Sequence, residues 1–281
     1  MITPQTETLA KSQETAHSIL ETELLTRRFG HLTAVDELSL SIQAGEMFGL
    51  VGPNGAGKTT VIKMLTTLLP PTSGNAWVSG YDVVKHASSV RRVIGYVPQL
   101  VSADGALTGY ENLLIFAKLY GIPRAERKQR IFDALDFMGL GEVSDKLVRN
   151  YSGGMIRRLE VAQSMIHRPK ILFLDEPTVG LDPIARKAVW EHIQRLRSDL
   201  GTTFLLTTHY MEEADQLCDR VAIMHLGKVV AIGTPAELKA SVGGHGVTLE
   251  DVFVHYTGAE LDSGSTYREV SRTRRAAGRL A

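Results

Sequence analysis

The stretch GPNGAGKTT, residues 52–60, decides the fold. It follows the apolar run MFGLV at 47–51 and precedes VIKMLTTLL. A short, continuous apolar run reads as a buried strand, and a helix is expected from about Thr59 to Leu68. Three glycines and a proline between them are a poor way to begin a helix. They are a good way to bring backbone N–H groups around an anion. The helix that follows points its positive dipole end at the same spot. Gly52, Gly55, Gly57, Lys58 and Thr59 match G-x4-G-K-[ST], with Pro53, Asn54, Ala56 and Thr60 completing the loop. In that pattern the lysine reaches the β and γ phosphates of a nucleoside triphosphate and the hydroxyl binds Mg²⁺. Average composition makes a chance match in a chain this long a matter of about 1%. The alternative, a tight strand–helix turn that happens to hold Lys-Thr, is therefore set aside.

A second stretch narrows the class. ILFLDEP, 171–177, is an apolar strand ending in Asp175 and Glu176. Ligands of an open parallel sheet sit at the carboxyl ends of its strands. Asp175 there would hold Mg²⁺, and Glu176 would take a proton from an attacking water. Pro177 predicts an extended Glu176. No Asn/Thr-Lys-x-Asp follows a strand, so guanine is not read, and the base defaults to adenine held by stacking. A third stretch is YSGGMIRRLEVA, 151–162. Ser152 reads as an N-cap, and Met155, Leu159, Ala162 and Ile166 as an apolar face. Two glycines at the start of that helix cost about 1 kcal/mol each relative to alanine. A second anion at this N-terminus would supply the reason. Since one loop already holds phosphates, the economical source is the nucleotide of another copy.

The rest of the chain agrees. Its 281 residues suit one large domain with attachments, and 43% apolar content provides a sizeable core. Lys plus Arg and Asp plus Glu are 31 each, which argues against a nucleic-acid partner. The single cysteine, Cys218, leaves no disulfide framework and points to a reducing compartment. It is expected to pack on a helix with Met211, Ala214 and Leu217. No apolar run approaches the roughly 18 to 20 residues of a membrane-spanning helix, and the start lacks a signal-type core. A soluble chain, reaching a membrane only through a partner, is the expectation.

Strands are expected at TELLTRRF, VDELSLSI, NAWVSG, VIGYV, KILFLDEP, FLLTTH and RVAIMHLGKVVAIG, with residues 108–168 almost wholly helical. The expected fold is α/β: a P-loop NTPase core with a mainly parallel sheet, an N-terminal antiparallel β addition and an inserted helical subdomain. The expected organisation is a polar tail over 1–20, the ATPase domain over 21–241 with its helical insert at about 100–168, and an extension over 242–281. GVTLEDVFVHYTG at 246–258 reads as a short ordered element, and YREVSRTRRAAGRLA, with five arginines and one glutamate, as a flexible basic end.

From about 22 to 240 the chain resembles the nucleotide-binding subunits of ABC transporters. GPNGAGKTT is similar to Walker A, ILFLDE to Walker B and YSGGM to the LSGGQ signature. Gln99 matches the Q-loop glutamine, VGLD at 179–182 the D-loop with Asp182, and His209 the switch histidine. Phe29 sits where the family places an adenine-stacking aromatic; a core phenylalanine is the rival reading. Asp182 before Pro183 has a helix N-cap as its rival. Tyr151 and Met155 replace the common Leu and Gln of the signature. That change touches the glutamine contact, not those of Ser152, Gly153 and Gly154. SGGM followed by arginines, and LEDVFVHYTG, are similar to the branch that exports drugs, lipids or polysaccharides.

The resemblance implies ATP and Mg²⁺, the ion held by Thr59, Gln99 and Asp175. It implies a homodimer closing head to tail around two ATPs, with Lys58, Glu176, His209 and Gln99 as the catalytic set. It further implies an integral membrane permease as partner, at the cytoplasmic face of the cell membrane. The alternative is a soluble ATPase of the same type acting on nucleic acid or the ribosome. The absence of sustained heptads, the single ATPase domain and the neutral charge count against it.

Overall fold

A computed structural model describes residues 18–243 and 246–258. The expected polar tail, apart from residues 18–20, and the expected basic end lie outside the described residues. Three of the residues assigned to that tail are instead ordered. The first strand, β1 (Ser18–Phe29), begins at Ser18 and pairs antiparallel with β2 (Leu32–Gln43). Leu20 and Leu25 are fully buried, which is why the strand starts ahead of the obvious alternation.

The order then runs β3 (Met47–Val51), α1 (Lys58–Leu65), β4 (Ser73–Val78), β5 (Tyr81–Asp82), α2 (Ala87–Val93) and β6 (Ile94–Val97). The helical insert holds α3 (Gly109–Leu119), α4 (Arg124–Phe137) and α5 (Gly153–Met165), with 3-10 turns at Gly141–Val143 and Val148–Asn150. The core resumes with β7 (Ile171–Asp175), α6 (Pro183–Leu200), β8 (Thr203–Thr208), α7 (Met211–Leu217), β9 (Arg220–His225) and β10 (Lys228–Gly233). Helices α8 (Pro235–Val242) and α9 (Leu249–Thr257) follow.

Two sheets form. One is antiparallel, in the order β2-β1-β4-β5. The other runs β10-β9-β3-β8-β7-β6, parallel at every pairing but the β9–β10 edge. Its central strands β3, β7 and β8 are buried on both faces. Phe48, Leu50, Phe173, Leu205 and Met224 pack toward the antiparallel sheet. Met47, Val51, Leu172, Leu174 and Leu206 pack toward the helices. This alternation within continuous apolar runs is what a doubly covered parallel sheet requires. The α/β class, the antiparallel addition and the helical insert are therefore as expected.

Four local expectations are corrected. Helix α1 stops at Leu65, short of Leu68, because Thr67 turns left-handed at φ 64° and Leu68 and Leu69 both donate to the Lys63 carbonyl. RVAIMHLGKVVAIG is a hairpin, turning at Leu226–Gly227, not one strand. Helix α2 was not anticipated; its only buried residue is Val90, so it shows no apolar stripe. Cys218 lies just beyond α7 in extended conformation, buried against Gly49. Burial pushes its thiol pKa far up.

The C-terminal helix is part of the core. Leu249, Val252 and Phe253 of α9 are buried, and the Phe253 ring meets His225 edge-on at 5.7 Å. On α7, bonded across to α6, is Glu213, fully buried. Its Oε1 accepts from Thr178 Oγ1 at 2.8 Å and Trp190 Nε1 at 2.7 Å. Its Oε2 is buried without a hydrogen-bond partner among the described residues. Burial outweighs the hydroxyl and indole donors and raises this carboxyl above its ordinary 4.5. No helix among the described residues is long and apolar enough to cross a membrane.

Two outcomes test this packing. Phe253→Ala is expected to cost about 3–5 kcal/mol by cavity formation, read by denaturant unfolding; a loss near zero would detach α9 from the core. Glu213 carries a raised pKa when folded, so the folded state binds the extra proton and stability falls as pH rises above the ordinary value. The neutral Glu213→Gln escapes this. Its Tm relative to the native chain should rise as pH increases above the ordinary glutamate value of 4.5; a flat difference would refute the assignment.

Candidate nucleotide site

The loop after β3 wraps the start of α1. Gly57, at φ 106°, caps the helix with no side-chain bond, and no acidic residue lies in its first turn. The first turn of α1 therefore carries no negative charge of its own to compete for the positive end of the helix. A Cβ on Gly57 would collide with the Ala34 carbonyl oxygen, so glycine is required there. Asn54 through Thr60 line a cleft of about 340 Å³ with Phe29, Leu32, Ala34, Gln99 and Glu176.

Charge in the cleft is held at close quarters. Lys58 Nζ donates to Gly52 O at 2.6 Å and Pro53 O at 3.1 Å, and pairs with Glu176 Oε1 at 3.1 Å. Lys58 and Glu176 are both buried. The other Glu176 oxygen, Oε2, lies 2.5 Å from His209 Nδ1. A carboxylate only accepts, so His209 donates from Nδ1. Burial alone would raise the Glu176 pKa; the His209 hydrogen bond and the Lys58 charge outweigh it and hold it below 4.5. Glu176 is thus ionised at neutral pH and suited to accept a proton.

Asp175 sits one residue back, at 0% exposure. Its Oδ1 accepts from Thr207 Oγ1 at 2.7 Å and Thr59 Oγ1 at 3.1 Å. Its Oδ2 is buried with no partner among the described residues. Burial, opposed by the two hydroxyls, raises this carboxyl. An orphaned carboxylate oxygen beside a threonine hydroxyl is a hard-oxygen pair that fits Mg²⁺, which takes one or two carboxylates and its remaining ligands from phosphate and water. Gln99 is exposed at the rim of the same cleft, after β6.

Phe29 is not core. It is 45% exposed at the end of β1, with the Arg27 guanidinium 4.6 Å over its ring. The extended Glu176 expected from Pro177 is corrected: φ is 52°, left-handed. Thr207 fixes the peptide, its carbonyl and hydroxyl both accepting from Glu176 N, while Arg157 holds the carbonyls that follow. These bonds override the local preference of a residue before proline.

Ser152, Gly153, Gly154 and Asp182 do not line the cleft. Ser152 caps α5, accepting from Met155 N at 3.3 Å. Gly154 has a reason inside its own chain, since a Cβ would stand 3.0 Å from Ala185 Cβ. Gly153 is exposed. Asp182 caps α6, accepting from Ile184 N and Ala185 N at 3.0 Å each. Tyr151 is buried and donates to Val143 O, and Met155 is half-buried. Sequence reading missed Thr207, Arg157 and Glu160. Arg157 and Glu160, charged three apart on a helix buried almost all round, were the available signal.

Residues 35–179 match the family model described as ABC transporter. The chain is 48% identical, over 80% of its length and 68% of the relative's, to the daunorubicin/doxorubicin resistance ATP-binding protein DrrA of Streptomyces peucetius. It is 46% identical, over 78% of its length and 68% of the relative's, to the Nod factor export ATP-binding protein I of Ralstonia nicotianae. A solved structure of the ATP binding subunit of an ABC transporter superposes with a TM-score of 0.76 at 30% identity, covering 85% of this chain and all of that one. The chain belongs to the ABC transporter family, as an ATP-binding and ATP-hydrolysing subunit that works with a membrane partner.

Proposed function

We propose that two copies close head to tail around two ATPs and drive export of a drug-like, lipid or polysaccharide substrate through a separate membrane permease. The Lys58–Glu176–His209 chain carries the reading. Lys58 has one ammonium for two partners, Glu176 and the phosphates. When phosphate enters the loop, Lys58 turns to it and releases Glu176, whose basicity rises as the positive charge departs. Glu176 then takes the proton of the attacking water. His209 keeps Glu176 oriented and faces the γ-phosphate. The Phe29 ring receives the adenine. Thr59, Asp175 and Gln99 would hold Mg²⁺, which supplies charge neutralisation on the phosphates.

In the closed dimer Ser152, Gly153 and Gly154 offer the α5 N-terminus to the partner copy's nucleotide, and Asp182 lies at the interface. The exposure of Ser152 and Gly153 supports this, because the helix end is open to a second molecule. Leu100 and Val101, about two-thirds exposed directly after Gln99, support docking of the permease on the insert. The subunit then works at the cytoplasmic face of the cell membrane. The names of the relatives, for daunorubicin/doxorubicin resistance and for Nod factor export, support an export role.

Two measurements test the reading. Glu176→Gln should lose about 10²- to 10⁴-fold in ATP hydrolysis and run as an ATP-held dimer on size exclusion, while Lys58→Ala should stay monomeric; wild-type turnover in Glu176→Gln would remove the base assignment. His209→Ala deletes a hydrogen bond that lowers the Glu176 pKa. Its kcat/KM profile, which reports the free enzyme, should lose activity at higher pH than the native chain as pH falls. An unmoved acid limb would show that His209 does not set Glu176.

A further inference from the structure

Arg157 is buried in α5, five residues after Ser152, and its guanidinium is fully engaged. Nε donates to Pro177 O at 2.6 Å. Nη2 donates to Asp175 O at 3.1 Å and Glu176 O at 3.2 Å. Nη1 donates to Pro98 O at 2.7 Å and pairs with Glu160 Oε2 at 3.0 Å. Three consecutive carbonyls on one side and the residue before Gln99 on the other thus meet a single rigid fork. Glu160, one turn further along α5, completes the grip. Its Oε1 accepts from Ser102 N at 2.5 Å and Ser102 Oγ at 3.0 Å. The segment carrying Gln99, Leu100 and Val101 is therefore held at both ends by one buried ion pair of α5. Beyond it, Asn112 of α3 accepts from Asp104 N at 2.9 Å and from Gln163 of α5 at 3.2 Å.

We propose that Arg157 and Glu160 are positioning residues that set the placement of Glu176 by the position of the helical insert. The inference rests on the reading of Glu176 as base. Glu176 is held at a left-handed φ of 52°, a conformation that costs energy outside glycine and persists only where its surroundings impose it. Arg157 imposes it, by drawing the carbonyls of residues 175–177 around one guanidinium. Arg157 belongs to the helix whose N-terminus is Ser152, and Glu160 of that helix holds the segment next to exposed Leu100 and Val101. A shift of α5 or of that segment moves the guanidinium, and with it the turn that aims the Glu176 carboxylate. Removing either charge strands the other in a dry site, so the two act as a unit.

The test uses the full chain with Mg²⁺-ATP. Arg157→Lys keeps the charge but loses the fork; Glu160→Gln keeps the shape but loses the charge. Both are expected to lower kcat by about 10- to 100-fold, the scale of a small misplacement. The affinity for a fluorescent ATP analogue should stay within about threefold, since neither residue lines the nucleotide cleft. Hydrogen exchange should rise together in peptides covering 98–102 and 174–178, although these are far apart in sequence. Wild-type kcat in both variants overturns the proposal. So does a fall in kcat matched by the fall in affinity and Tm, or exchange confined to one peptide. Should Arg157→Lys fail to fold, Glu160→Gln and Ser102→Ala carry the same readouts. Glu176→Gln run in parallel separates the two ideas. If it hydrolyses normally, the base reading fails. If it is dead while the α5 variants are normal, only this inference fails.

Discussion

A lysine ammonium and a glutamate carboxylate taken out of water together are the constraint on which the remaining geometry depends. Lys58 and Glu176 face each other with side chains only 4% exposed. Such a pair is costly unless every remaining valence is bonded. The bonds come from three strands. Gly52 and Pro53 follow β3, Glu176 follows β7, and His209 follows β8. Strand register must place these ends side by side, and it does: Val51 pairs with Thr208, and Asp175 with Thr207. A slip of one residue would turn each set of side chains to the opposite face. Sheet pairing and site geometry are therefore one requirement, met in the buried β3–β8–β7 layer.

Much of this was legible because the site lies where strong patterns overlap. MFGLV, ILFL and FLL are apolar runs, and the last two meet Asp175, Glu176, Thr207 and Thr208 at their carboxyl ends. Local chemistry alone places Lys58, Asp175 and Glu176 there. What the sequence concealed was long-range. Pro177 argued for an extended Glu176, and contacts from Thr207 and Arg157, distant in the chain, decided otherwise. Cys218 missed its helix by one residue, since the end of α7 depends on packing rather than on a cap signal. Helix α2 carries no apolar stripe and could not be read from periodicity.

The α5 N-terminus shows how one sequence feature serves two demands. Gly153 and Gly154 weaken the helix start, and an anion was the reason inferred. Gly154 also lets α5 approach Ala185 at the start of α6 closely, where a Cβ would be crowded. Packing within the chain and an open helix end for a second molecule are compatible, because the two glycines face different surroundings. The capped start of α6 at Asp182 likewise leaves the Asp182 side chain satisfied and exposed at once. Residues of this kind resist assignment to structure or to function alone.

Cys218 has a practical consequence. Reaction with an alkylating reagent requires access and a thiolate; the sulfur is buried against Gly49, and burial keeps the proton on it. The chain thus behaves as though it had no thiol, although it carries one. A cysteine introduced on the exposed face of the helical insert would react alone. Paired spin or fluorescent labels could then follow the motion of that insert during turnover, with the native cysteine left in place.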